Sequence, residues 1–145
     1  MTSTIMVATD DSEGGNRAVD MASTFAKAAA AKLLVITVEN SNVEHSKGID
    51  ELARAEGGLG EAIELSANKV LQRAKERAHR QGAASVEVEY CWGDPAEAII
   101  EVARRKGVDA IVVGRRGRGR LAGLLLGSVS NKLVSLAPCP VVVVP

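Results

Sequence analysis

Val108-Asp109-Ala110-Ile111-Val112-Val113-Gly114-Arg115-Arg116-Gly117-Arg118-Gly119-Arg120 is the stretch that decides how this chain folds. Residues 108 to 113 read as an apolar run, which suits a central parallel strand covered on both faces. A Gly/Arg loop follows. Gly127 and Ser128 then open a helix reaching to about Ala137, and Val141 to Val144 supply a short β-branched strand. Working backwards, Gly93-Asp94-Pro95 announces another helix, with Asp94 as N-cap and Pro95 at the first helical position, where its missing N–H costs nothing. Ala96, Ile99, Ile100 and Ala103 give that helix one apolar face, and Gly107 ends it. Val86 to Trp92 alternates as an edge strand with one solvated face does. Glu61 to Gln81 shows helical spacing through Ala67, Val70, Leu71, Ala74 and Ala78, with Gly82 as C-cap. Nearest the N-terminus, Ile5 to Thr9 and Leu33 to Val38 are strands flanking a helix in which Ala18, Ala22, Phe25 and Ala29 recur at helical spacing. Residues 39–60, broken by Gly48, Gly57, Gly58 and Gly60, read as a long mobile loop.

This β-α-β-loop-α-β-α-β-α-β order predicts an α/β fold, a parallel sheet with helices on both faces. Ligands of such sheets bind beyond the carboxyl ends of the strands, near the point where the strand order reverses. The ends of the first, second and fourth strands are therefore where chemistry is expected.

Composition agrees with a single domain over residues 1–145: 46% of the residues are apolar and 25% charged. A chain of this length buries roughly 68–70% of the surface that its unfolded state exposes. No apolar run approaches the ~20 residues of a membrane span, and Met1 to Met6 lack the pattern of a secretion signal, so the expected location is cytoplasmic. Cys91 and Cys139 lack CxxC spacing and are expected as reduced thiols. His45 and His79 stand alone, which disfavours a zinc site. Eighteen basic residues balance eighteen acidic ones, but residues 110–145 hold four Arg, one Lys and no acidic residue, so that segment is +5 and the remainder −5.

Gly114, Gly117 and Gly127-Ser128 follow the spacing G-x2-G-x9-G-S. Glycines let backbone amides approach an anion, and a helix opening at Ser128 adds N–H groups, a positive dipole end and the hydroxyls of Ser128 and Ser130. The set, placed at a strand end, reads as a phosphate cradle. Taken singly, each glycine needs only to turn the chain. Asp10 ends the first strand beside that cradle. A carboxylate there repels phosphate unless it accepts a ribose hydroxyl or holds Mg²⁺, whereas Asp11 or Ser12 suffices to cap the following helix.

In these residues the chain resembles the universal stress protein family. Gly114, Gly117, Gly127 and Ser128 are similar to its nucleotide-binding motif, and Met6-Val7-Ala8-Thr9-Asp10 to its first strand. Gly93-Asp94-Pro95-Ala96 and Cys139-Pro140-Val141-Val142-Val143-Val144 are similar to its characteristic helix entry and its closing strand. The resemblance implies an open five-stranded parallel sheet in the order 3-2-1-4-5, a Rossmann-like arrangement of the adenine nucleotide alpha hydrolase type. It implies ATP, with Mg²⁺, as ligand, and a homodimer joined through Val141 to Val144. It places Thr9 and Asp10 at ribose or phosphate, Val38 against adenine, and Gly114, Arg115, Arg116, Gly117, Gly127, Ser128, Val129 and Ser130 around the phosphates. Arg115 and Arg116 occupy positions where many nucleotide-binding members of that family have a small or hydroxyl residue and a variable one; their charge strengthens phosphate binding, or their bulk partly fills the site.

Enzyme motifs are sparse. The P-loop pattern is absent, no acidic residue follows Gly117-x-Gly119 to hold a ribose, and there is no Gly-x-Ser-x-Gly elbow. A nucleic-acid role is disfavoured because Phe25, Tyr90 and Trp92, the only aromatics, lie outside the Arg loop. The expectation is a nucleotide-responsive regulator of stress adaptation with an unidentified protein partner. The alternatives are a slow ATP hydrolase or phosphotransferase, and an interaction module that binds no nucleotide.

Overall fold

Short β-branched runs separated by capped, amphipathic segments produce strands that alternate with helices. The computed structural model describes residues 3–40, 59–115 and 126–145. In chain order the elements are β1 (Thr4–Ala8), α1 (Glu13–Ala29), β2 (Lys32–Glu39), α2 (Leu59–Arg80), β3 (Val86–Trp92), α3 (Pro95–Lys106), β4 (Ala110–Gly114), α4 (Ser128–Leu136) and β5 (Val141–Val144). All pairings are parallel, in the order β3-β2-β1-β4-β5, so the expected five-stranded sheet is the one observed.

The pleat sorts the side chains into two cores. Val7, Val35 and Val112 share a rung and face α1 and α2, where Ala18, Val19, Ala22, Leu71, Ala74 and Ala78 cover them. Met6, Leu34 and Ile111 form the next rung and face α3 and α4, against Ile99, Val102, Ala103 and Leu133. The central strands are buried on both faces, as their unbroken apolar character requires.

Caps fix the helix ends. The Ser12 hydroxyl accepts the Gly15 N–H at 3.0 Å, and the Asp94 carboxylate accepts the Glu97 N–H at 3.0 Å. Gly107 closes α3 in the left-handed region at φ 61°, where glycine has no Cβ penalty.

Several expectations need correction. Phe25 and Ala29 do not belong to the buried face of α1. Both are exposed, and the buried stripe is Ala18, Val19, Ala22, Ser23 and Ala26. The first strand is Thr4–Ala8 rather than Ile5 to Thr9. The fourth strand starts at Ala110, not Val108. Asp109 instead caps the head of β1, its carboxylate accepting the Thr4 N–H at 2.8 Å while its own N–H donates to the Thr4 carbonyl at 2.8 Å. Within the expected 39–60 loop, Glu39 belongs to β2 and α2 already begins at Leu59; residues 41–58 lie outside the described residues. Cys91 and Cys139 are free thiols.

Candidate functional site

The strand order reverses between β1 and β4, so the segments leaving their carboxyl ends, Thr9-Asp10 and Gly114-Arg115, emerge side by side. Thr9 is buried and bound into the sheet: its N–H donates to the Ile36 carbonyl at 3.0 Å and its carbonyl accepts the Thr37 hydroxyl at 2.8 Å. Its own hydroxyl accepts the Asp11 N–H at 3.2 Å. Asp10 folds back so that Oδ1 accepts the Ser12 N–H at 3.0 Å, an Asx turn. Asp11 sits in the left-handed region at φ 65°, and its Oδ2 lies 2.6 Å from Arg73 Nη2 on α2.

The first turn of α1 is pressed onto this junction through glycines that sequence reading passed over. A β-carbon at Gly15 would stand 2.6 Å from Thr9 Oγ1 and 2.9 Å from Asp10 Oδ1, closer than such atoms can come. Gly14 meets Gly114 backbone to backbone in the same way. Gly114 is therefore required by helix packing, whatever it does for a ligand.

Beyond β4, Arg115 ties three elements together. Its N–H donates to the Val144 carbonyl at 2.7 Å, and its carbonyl accepts the Gly127 N–H at 2.8 Å. This hydrogen bond brings the start of α4 to the end of β4. Gly127 is the N-cap of α4 and has no side chain to satisfy the first-turn amides. Ser130 is buried, its hydroxyl donating to the Gly114 carbonyl at 2.7 Å, so its first role is to hold α4 against β4. Ser128 is exposed, and Val129 is half-buried against the α3–α4 core. The Arg115 Nε is buried and has no hydrogen-bond partner among the described residues. Val38, at the end of β2, is half-buried on the α3–α4 side of the sheet. Arg116 and Gly117 lie outside the described residues.

The structure thus brings Thr9, Asp10, Gly114, Arg115, Gly127 and Ser130 to one switch point. It adds Gly14, Gly15, Asp11 and Arg73 to the neighbourhood. A buried guanidinium N–H without a partner and an uncapped helix N-terminus are both donors of positive character. Together they are suited to an anion.

The sequence matches the model of the universal stress protein family over residues 1–145. It is 33% identical over 144 residues to the universal stress protein YxiE of Bacillus subtilis, covering 97% of each chain. It is 34% identical to a universal stress protein of Mycobacterium tuberculosis, covering 97% of this chain and 94% of that one. Its fold superposes on a crystal structure of a universal stress protein in complex with cAMP with a TM-score of 0.74 and 29% identity, covering 99% of this chain and 96% of that one.

Proposed function

The chain belongs to the universal stress protein family, and from that membership we propose that it is a cytoplasmic, single-domain regulator that binds ATP at the ends of β1 and β4. The observation that carries this reading is the buried, unpartnered Nε of Arg115, the residue whose carbonyl accepts the Gly127 N–H at the uncapped start of α4. Phosphate oxygens are the acceptors that both lack, and the amides of Ser128 and Val129 extend the cradle. Asp10 accepts a ribose hydroxyl or joins a Mg²⁺ ion that the phosphates also bind, and Val38 lies on the adenine side. No cluster of three metal-ligating side chains occurs among the described residues, so Mg²⁺ would take most of its ligands from the nucleotide and water. The cAMP held by a 29%-identical relative supports an adenine nucleotide as the ligand class.

The same reading includes a homodimer through β5, the last strand of the described sheet. Arg17 Nε donates to the Pro145 carbonyl at 2.8 Å, which sets one flank of α1 beside the end of β5. Met21 and Phe25 continue that flank turn by turn and are exposed, as are Val134 and Leu136 on α4, the helix that leads into β5. An edge strand with apolar flanks on both layers supports pairing with a second copy.

Calorimetric titration with ATP, ADP, AMP and cAMP, each with and without Mg²⁺, tests the ligand. Phosphate release by the purified protein at saturating ATP tests turnover. Tight binding with no release supports a regulator, and steady release replaces that reading with a slow hydrolase.

A further inference from the structure

Resting on that nucleotide reading, we propose that Arg73 is a positioning residue for the site: it acts from α2, through Asp11, to fix the turn that presents Asp10. Asp11 occupies a backbone conformation that side chains other than glycine, asparagine and aspartate adopt reluctantly. Two hydrogen bonds from neighbouring amides shape the turn, Asp11 N–H to Thr9 Oγ1 and Ser12 N–H to Asp10 Oδ1. The Arg73 guanidinium adds a tether from a different element, 2.6 Å from Asp11 Oδ2.

Arg73 is not needed to seat α2 on α1. Arg77, one turn further on, does that with a bidentate pair to Asp20 at 2.6 and 2.8 Å. The Arg73 side chain is 57% exposed and contributes little packing, while that of Asp11 is 27% exposed. What remains for the pair is the geometry of the turn. That geometry has little slack, since Gly15 lies so close that a β-carbon on it would stand 2.6 Å from Thr9 Oγ1 and 2.9 Å from Asp10 Oδ1. A small rotation at Asp11 therefore re-aims Asp10.

The test compares ATP affinity and amide hydrogen exchange in the parent, Arg73→Gln, Arg73→Lys, Asp11→Gly and Asp11→Gly/Arg73→Gln. Arg73→Gln is expected to weaken ATP binding about two- to fivefold, the range of an exposed ion pair, with Arg73→Lys between it and the parent. In the Asp11→Gly background the same Arg73 change is expected to do nothing, because position 11 then has no carboxylate for the guanidinium to hold. In the nucleotide-free protein, Arg73→Gln should speed exchange of the Asp11 and Ser12 amides and leave β1 unchanged. Equal ATP affinity in parent and Arg73→Gln, or an equal loss in both backgrounds, overturns the proposal. If the parent binds no ATP, the nucleotide reading falls on its own, and the exchange data then decide: unchanged protection at Asp11 and Ser12 overturns the role of Arg73.

Discussion

A β-carbon placed on Gly114 would stand 2.9 Å from both the carbonyl carbon and the carbonyl oxygen of Gly14. Helix α1 and strand β4 thus touch backbone to backbone at the switch point. Gly114→Ala must push α1 away, and overpacking of this kind costs about 1–3 kcal/mol. Urea unfolding should show that loss, and ATP affinity should fall with it because Asp10 and Arg115 flank the contact. A variant as stable as the parent would contradict the close approach.

The start of α3 separates capping from charge. The Asp94 carboxylate accepts the Glu97 N–H at 3.0 Å and also lies 3.4 Å from Lys132 Nζ. Asp94→Ala loses the cap and should destabilise by about 1 kcal/mol. Asp94→Asn keeps a capping oxygen and loses only an exposed ion pair, so its cost should stay below about 1 kcal/mol. Chemical denaturation of the two variants ranks them, and equal losses would assign the effect to Lys132.

The contrast between these two sites explains what sequence reading reaches. Asp94-Pro95 and Gly107 are local signals, since a cap and a C-terminal glycine act within one turn of themselves. Val86 to Trp92 and Val141 to Val144 are likewise marked by their own side chains, and both strands occur within those bounds. Helix α1 is harder. It is rich in Ala, which gives little direction to the apolar face, so the large Phe25 draws the reading towards a flank that the structure exposes. Gly15 looks like a weak helix former in isolation, and only the arrival of Thr9 and Asp10 reveals why no side chain fits. The Asp11–Arg73 pair joins residues far apart in the chain and leaves no periodic trace. Ser130 is legible as part of the motif, but its bond to the Gly114 carbonyl depends on how α4 returns to β4.

Tyr90 should make the protein sensitive to alkali. Its hydroxyl is buried with no partner among the described residues. Burial, with Glu39 and Glu64 adding negative charge nearby, pushes its pKa from 10.0 up to about 12. Below pH 10.0 the phenol is protonated in both states; above it the unfolded chain ionises first, so stability is lost as pH rises towards about 12. Comparing Tyr90→Phe with the parent in urea at stepped pH should show a shallower alkaline decline in the variant. Parallel declines would place the effect elsewhere, with the Cys91 thiol, also pushed up by burial, the first group to test.

The dimer is best tested on exposed residues beside β5. Val144 is 6% exposed and part of the α1-side core, so lysine there would damage the monomer itself. Val134 and Leu136 are 57% and 54% exposed, and Val134→Glu/Leu136→Glu should leave the melting curve of a monomer intact. Sedimentation of the parent as a dimer and of the double variant as a monomer is the expected outcome. A parent that sediments as a monomer at micromolar concentration would rule out the dimer.

In the nucleotide complex proposed above, the phosphates satisfy the buried Arg115 Nε and the start of α4. The most direct test of that contact is the affinity of Arg115→Gln for ATP and, separately, for adenosine, by isothermal titration. A charge-assisted hydrogen bond contributes about 1.5–3 kcal/mol, so ATP binding should weaken by about tenfold or more while adenosine binding stays at the parent value. Unchanged ATP affinity in Arg115→Gln, or a parent protein that binds no ATP, would contradict it.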